Sequence, residues 1–417
     1  MPFSSLGVCA GVLRAIADQG YSAPTPIQSK AIPPVLKGRD LLAAAQTGTG
    51  KTAGFTLPLL ERLTTAVKSD RDKPGYCKPR ALILTPTREL AAQVASSVVT
   101  YGKYLPLRSA VIFGGVNINP QIDRLKRGVD IIVATPGRLL DHVQQKTVNL
   151  SGIEILVLDE ADRMLDMGFI PDIRRIMARL PTQRQTLMFS ATFSDPVRKL
   201  AYGLLRDPAL VEVAPRNATL DQIEQRAYRV AKGDKRALLA HLLTTCDWPQ
   251  ILVFTRTKHG ANRLAEQLSR DGIKTDAIHG NKSQSGRTQA LAGFKRGMVR
   301  ALIATDIAAR GLDIAQLPLV VNFELPHVAQ DYIHRIGRTG RAGSAGLAVS
   351  LICPEEHKLL ANIERVINRR LTIAKPSDFQ PGKPTVTARL LKAKTGGWPT
   401  GSSTRRSTGA TSTPFPG

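Results

Sequence analysis

The chain predicts an α/β protein built from two successive units, each a parallel sheet covered by helices. Three observations carry this. Short apolar runs alternate with amphipathic stretches through the first half. One of those runs opens through a glycine-rich loop into a helical pattern. The second half then repeats the same style. Strand–helix alternation of this kind implies parallel pairing with crossover helices.

In chain order, the first run is Asp40-Leu41-Leu42-Ala43-Ala44, followed by Ala45-Gln46-Thr47-Gly48-Thr49-Gly50-Lys51-Thr52 and a helical pattern from Lys51 to Leu63. Further strands are expected at Ala81–Leu84, Ser109–Phe113, Asp130–Ala134, Glu154–Leu158 and Thr186–Phe189, with an amphipathic helix over Arg88–Lys103. The second unit has strands at Ile251–Phe254, Thr275–Ile278, Arg300–Ala304, Leu319–Phe323 and Gly346–Leu351. Ala81–Thr85 leads into a helix through Arg88, as Ile251–Thr255 does through Arg256, and Asp130–Thr135 resembles Arg300–Thr305. Two similar halves explain that echo, and so does coincidence among aliphatic strands.

Length supports the division, since 417 residues exceed one ordinary domain. The join falls near Val213–Leu220, where Pro215, Asn217 and Thr219 interrupt the apolar pattern. The expected units are 1–214 and 215–372. From residue 373 to 417 the composition turns to Pro, Gly, Ser, Thr, Lys and Arg, too apolar-poor to offset ordering entropy. This segment reads as a basic disordered tail, with an ordered extension as the alternative.

Hydrophobic residues make up 42% of the chain and aromatics only 5%, so aliphatic side chains must fill the cores. A net charge of +25 points to a polyanionic partner, nucleic acid before a membrane surface. Cys9, Cys77, Cys246 and Cys353 have neither metal-ligand nor paired spacing and read as reduced thiols. No apolar run approaches bilayer-spanning length, so a cytoplasmic protein is expected.

The chemistry is most legible in two motifs. A loop ending Gly-Lys-Thr supplies backbone N–H groups to cradle phosphates, with Gly48, Thr49 and Gly50 in its bend, Lys51 as a cation and the Thr52 hydroxyl. Its leading residue is Ala45, so a strict Walker pattern fails by one position. Asp159-Glu160-Ala161-Asp162 follows the apolar run Ile155–Leu158 and so sits at a strand's C-terminal end, where doubly wound sheets hold ligands. Thr52 and Asp159 suit Mg²⁺, which favours oxygen ligands. Glu160 is the group to orient or deprotonate an attacking water. Farther on, Tyr332-Ile333-His334-Arg335-Ile336-Gly337-Arg338-Thr339-Gly340-Arg341 interleaves arginines with glycines, a spacing suited to presenting guanidiniums to phosphate oxygens.

Together these motifs resemble the DEAD-box ATP-dependent RNA helicases, and among them the bacterial RhlE type, over Phe3 to about Leu371. The resemblance implies two RecA-like domains around an ATP cleft, with single-stranded RNA crossing both. Gly20–Gln28 is similar to the family's adenine-reading motif, which assigns Gln28 to the base, with Tyr21 and the upstream aromatic Phe3 beside it. Ala45–Thr52, Thr47 included, is similar to its phosphate motif. Pro86, Thr87, Arg88, Gly114, Gly115, Thr135, Pro136, Gly137 and Arg138 match its RNA-backbone contacts in the first unit. Asp162, Ser190, Thr192 and His334 match positions that couple hydrolysis to strand separation. In the second unit Thr255, Arg287 and Thr305 match RNA contacts, Gly311 and Asp313 lie on the nucleotide side, and Arg338 and Arg341 become the arginine fingers. ATP and Mg²⁺ are the implied cofactors. Single-stranded and short duplex RNA, read largely without regard to sequence, is the implied partner, with ribosomal or messenger RNA–protein complexes as candidate targets. Two other readings stay open: an RNA clamp or annealing chaperone dominated by the tail, and a DNA-directed motor.

Overall fold

A computed structural model describes residues 2–45, 48–65, 78–191, 193–213, 223–245, 248–309, 314, 317–340, 346–374 and 379. The first unit holds strands β1 (Leu41–Ala44), β2 (Ala81–Leu84), β3 (Ser109–Ile112), β4 (Ile131–Ala134), β5 (Ile155–Leu158), β6 (Gln185–Ser190) and β7 (Ala209–Glu212). The second holds β8 (Ile223–Arg229), β9 (Ile251–Thr255), β10 (Thr275–Ile278), β11 (Ala301–Thr305), β12 (Leu319–Asn322), β13 (Gly346–Ile352) and β14 (Thr372–Ala374). Every pairing between them is parallel.

Among the described residues each sheet has seven strands, in the orders β3-β4-β2-β5-β6-β1-β7 and β10-β11-β9-β12-β13-β8-β14. Shifting the first order by one unit's worth of strands reproduces the second. The sequence echo is therefore a real structural repeat. It extends to side chains. Thr85 Oγ1 donates to the Thr87 carbonyl at 3.3 Å, and Thr87 accepts from Leu90 N–H to cap the helix Arg88–Tyr101. Thr255 Oγ1 donates to the Thr257 carbonyl at 3.4 Å, and Thr257 accepts from Gly260 N–H to cap Lys258–Arg270. A hydroxyl at that position satisfies an N–H with no intrahelical partner.

The central strands are buried on both faces, as parallel sheets require. In the first sheet Leu41, Ile83, Val133, Val157 and Phe189 pack to one side, with Ile27, Phe55 and Val94 from the covering helices. Leu42, Leu82, Leu84, Ile132, Leu156 and Met188 pack to the other, with Leu139, Met164 and Ile173. The period-2 alternation of side chains makes these two cores from single apolar runs.

Three strands were not anticipated. β7 and β8 carry Glu212, Glu224, Arg226 and Arg229 among their apolar residues, and β7 leaves Leu210 exposed. β14 revises the expected boundary at 372. Thr372–Ala374 pairs with Arg226–Tyr228, and Phe379 packs against the hydrophobic core of the second unit, with its ring 5.7 Å from that of His241. The second unit thus reaches into the first residues of the segment expected to be a tail, because β8 otherwise leaves an open edge. The rest of 375–417, and the join over 214–222, lie outside the described residues.

Candidate active site

Among the described catalytic candidates, Lys51, Asp159 and Glu160 follow the C-terminal ends of β1 and β5 in the first sheet, whereas Arg338 follows the helix Ala329–Ile336 and its carbonyl accepts from Leu317 N–H just ahead of β12. The phosphate loop leaves β1 and enters the helix Lys51–Thr65. Gly50 is required there twice over. Its φ of +93° lies in the left-handed region, and a Cβ would stand 2.4 Å from Gln28 Nε2. Gln28 spans this contact: its Oε1 accepts from Thr25 N–H at 2.9 Å and its Nε2 donates to the Gly50 carbonyl at 3.1 Å. The helix Pro26–Leu36 is thereby tied to the phosphate loop. Lys51 is buried and donates to the Ala45 carbonyl at 2.7 Å, closing the loop on itself. Phe3 is buried in the first core beside Leu6, while Tyr21 is exposed.

The acidic run follows β5. Asp159 is buried, and its carboxyl is pushed up to about 7 by desolvation and by the neighbouring Glu160 charge. Its Oδ1 accepts from Glu160 N–H at 3.0 Å. Glu160 holds a left-handed backbone, φ 54°, at the start of the helix Ala161–Asp166. A non-glycine residue in that region is strained, and such strain concentrates at functional sites. Burial drives the Glu160 carboxyl up, but Arg163, Lys51 and Arg338 outweigh it and hold it below the ordinary carboxylate range. Arg163 makes an ion pair with Glu160. Asp162 turns the other way: its Oδ2 accepts from Ala191 N–H at 3.1 Å, joining the run to the loop that follows Ser190.

The second unit contributes Arg338, which is buried and acts electrostatically on Glu160. Its position is set by Arg335, which is 1% exposed and wholly internal. Arg335 grips Asp306 with two bonds of 2.6 and 2.8 Å, donates to Asn322 Oδ1 at 3.0 Å and lies over the Phe254 ring. His334 is half-buried on the same helix, Ala329–Ile336. Of the candidate site residues named from the sequence, Thr47, Thr192, Gly311, Asp313 and Arg341 lie outside the described residues.

The expected RNA contacts of the first unit form one edge. Pro86–Arg88 follow β2, Gly114 and Gly115 follow β3, and Thr135–Arg138 follow β4. Gly115 has φ +77°, and a Cβ there would collide with the Arg88 guanidinium. Arg138 donates to the Val116 carbonyl at 3.1 and 3.2 Å, and Pro136 opens the helix Pro136–Gln144. Gly137 has open space where its Cβ would be, so backbone there is approachable. Thr255 and Thr305 end adjacent strands of the second sheet.

Arg287 departs from expectation. It is buried and pairs with Glu89 of the first unit at 2.9 Å, and Gln284 Nε2 donates to the same Glu89 oxygen at 3.2 Å. A buried guanidinium needs an opposite charge, and here the partner comes from across the cleft. Neither Glu89 nor Arg163 was singled out in the sequence. Glu89 directly follows the expected RNA contact Arg88, and Arg163 directly follows Asp162, so proximity in sequence was the available signal.

Comparison with known proteins accords with this geometry. The DEAD/DEAH box helicase family profile matches residues 25–200, and the helicase conserved C-terminal domain profile matches residues 234–343. The chain is 42% identical over 377 residues to the ATP-dependent RNA helicase RhlB of Pseudomonas syringae pv. tomato, covering 90% of this chain and 94% of that one. It is 40% identical over 371 residues to the DEAD-box ATP-dependent RNA helicase RhpA of Helicobacter pylori, covering 89% of this chain and 73% of the relative. Among solved structures it superposes on S. cerevisiae Dbp5 bound to RNA and ADP BeF3 with a TM-score of 0.79, at 32% identity, covering 94% of this chain and 98% of that one. A DEAD box protein from Methanococcus jannaschii is 40% identical, covering 90% of this chain and 99% of that one, yet gives a TM-score of only 0.51.

Proposed function

The chain belongs to the DEAD-box helicase family, and we infer that it couples RNA-stimulated ATP hydrolysis to local opening or remodelling of RNA duplexes and RNA–protein complexes. The observation that carries this is the cluster of Lys51, Asp159 and Glu160 in the first unit, with the Arg338 charge of the second unit helping to hold the Glu160 carboxyl down. An acid and a cationic loop from one unit reach full function only when the other unit supplies its guanidinium. The better superposition on the RNA-bound Dbp5 than on a more identical relative supports reading this arrangement as the closed one.

In this reading ATP lies on the loop Ala45–Thr52, with Lys51 released from the Ala45 carbonyl to meet phosphate oxygens. Gln28 keeps one N–H and one carbonyl lone pair beyond its protein bonds, enough for an adenine edge. The donor set suits Mg²⁺. Asp159 is a buried carboxylate whose charge its surroundings disfavour, and a divalent cation offsets that cost. Thr52 and Asp159 would hold the ion, which neutralises phosphate charge when bound. Glu160 takes the proton of the attacking water, and Arg338 stabilises the charge that develops on the transferring phosphoryl. Arg341, Gly311 and Asp313 join them in the proposal on their motif positions, as do Thr47 and, for coupling, Thr192. The link Asp162–Ala191 ties the catalytic run to the loop after β6, a route by which hydrolysis reaches the RNA edge.

RNA is proposed to run along Pro86–Arg88, Gly114, Gly115 and Thr135–Arg138, then onto Thr255 and Thr305. Hydroxyls, glycine N–H groups and guanidiniums recognise phosphate and 2′-hydroxyl without reading bases. The RhlE-like subtype rests on the motifs, and a cytoplasmic site of action completes the reading. No helix among the described residues is long and apolar enough to cross a membrane.

Steady-state ATP turnover with saturating RNA tests this. Glu160→Gln should keep ATP and RNA binding while turnover falls by about 10² or more. Turnover near the unmutated level would remove Glu160 from the role of general base. Stimulation by DNA equal to that by RNA of the same sequence would favour a DNA-directed motor instead.

A further inference from the structure

The general-base assignment leaves a question of aim. A carboxylate has two oxygens and a free χ rotation, and a base must hold one oxygen toward the water. The turn at Glu160 solves part of this. Its left-handed φ starts the helix Ala161–Asp166 abruptly and brings Arg163, three residues on, to the same side.

There the Arg163 guanidinium contacts Glu160 Oε2, and both side chains are more than nine-tenths buried. The backbone reinforces the arrangement. Arg163 N–H bonds both the Glu160 carbonyl and Asp162 Oδ1 at 3.0 Å, which fixes the root of the arginine side chain. Around the pair stand two carboxylates, Asp159 and Asp162, and two cations, Lys51 and Arg338. Both cations have phosphate to meet in the closed, loaded state. Arg163 is the cation of this cluster that the phosphoryl chemistry does not call on.

We propose that Arg163 is the positioning residue of Glu160, fixing Oε2 so that Oε1 faces the attacking water. The proposal rests on the reading of Glu160 as the general base. Arg163 touches neither nucleotide nor water, and acts through the carboxylate it holds. A guanidinium suits the task better than an ammonium, because its planar fork fixes direction as well as charge.

The full chain with Arg163→Gln tests it, beside Arg163→Lys. RNA-stimulated kcat should fall about tenfold to a hundredfold for the glutamine variant, as for a misaimed group, with KM for ATP within about twofold. Lysine should restore part of kcat. In a Glu160→Gln background the Arg163→Gln change should add no further loss in single-turnover rate. A second readout needs no turnover. In the side-chain ¹⁵N spectrum of the unliganded protein, Arg163 Nη resonances should be held in slow rotation and should lose that hold in Glu160→Gln. The proposal is overturned by an unchanged kcat in Arg163→Gln, by losses that simply add in the double variant, or by Arg163 resonances indifferent to Glu160→Gln. A wild-type chain without RNA-stimulated turnover would instead sink the proposed function, and the spectrum alone would then decide whether the pair exists.

Discussion

Glu89 and Arg287 form an ion pair of 2.9 Å that joins the two sheets, with Gln284 bonded to the same carboxylate oxygen. Glu89 lies in the first turn of the helix that Thr87 caps, one residue beyond Arg88 on the RNA edge. Arg287 lies in the first turn of Gln284–Lys295, behind the Ser283 cap. Both side chains are more than nine-tenths buried. The pair therefore exists only when the units are closed, and separating them exposes both charges.

The pair should set how readily the units close. Removing one partner of a buried ion pair costs about 3–5 kcal/mol, because the other charge is left buried alone. Glu89→Ala should therefore weaken RNA binding in the presence of a non-hydrolysable ATP analogue by roughly tenfold or more. It should also lower energy transfer between dyes placed on the two units. ATP binding to the first unit alone should not change. Equal transfer efficiency in mutant and wild type would show that closure does not depend on the pair.

Arg338 should act on the transition state rather than on binding. Arg338→Lys keeps a positive charge but loses the bidentate fork. Turnover should fall by about 10² or more, while ATP affinity moves little, since finger charges act at the transferring phosphoryl. The check is kcat and KM measured separately with saturating RNA. A loss confined to KM would make Arg338 an ordinary phosphate-binding residue.

The basic segment should add RNA affinity without specificity. Lys375, Lys383, Arg389, Lys392, Lys394, Arg405 and Arg406 carry charge there against the single acid Asp378. The ordered strand Thr372–Ala374 and the packed Phe379 mean that truncation belongs after residue 380, not at 371. Each phosphate neutralised on a single strand contributes about 0.7 to the salt slope of binding. The truncated chain should bind RNA more weakly at low salt and with a shallower slope, with turnover at saturating RNA nearly unchanged. Identical slopes would mark the segment as inert for RNA.

The local parts of this protein were readable directly. Ala81–Leu84 matches its expected bounds, because a strand buried on both faces must be continuously apolar. Lys51, Asp159 and Glu160 were legible for a similar reason. A phosphate loop needs a strand before it and a helix after it, and both are written in adjacent residues. β7, β8 and β14 escaped because strands at or near a sheet edge tolerate charge, so their pairing leaves little apolar signature. The partners of the charges were decided only in three dimensions. Arg335 turned inward to Asp306, Arg287 reached across to Glu89, and Arg163 closed on Glu160. Composition records that a guanidinium is present. Which carboxylate compensates it depends on which surfaces fold away from water, since only there does an unpaired charge become costly enough to fix the choice.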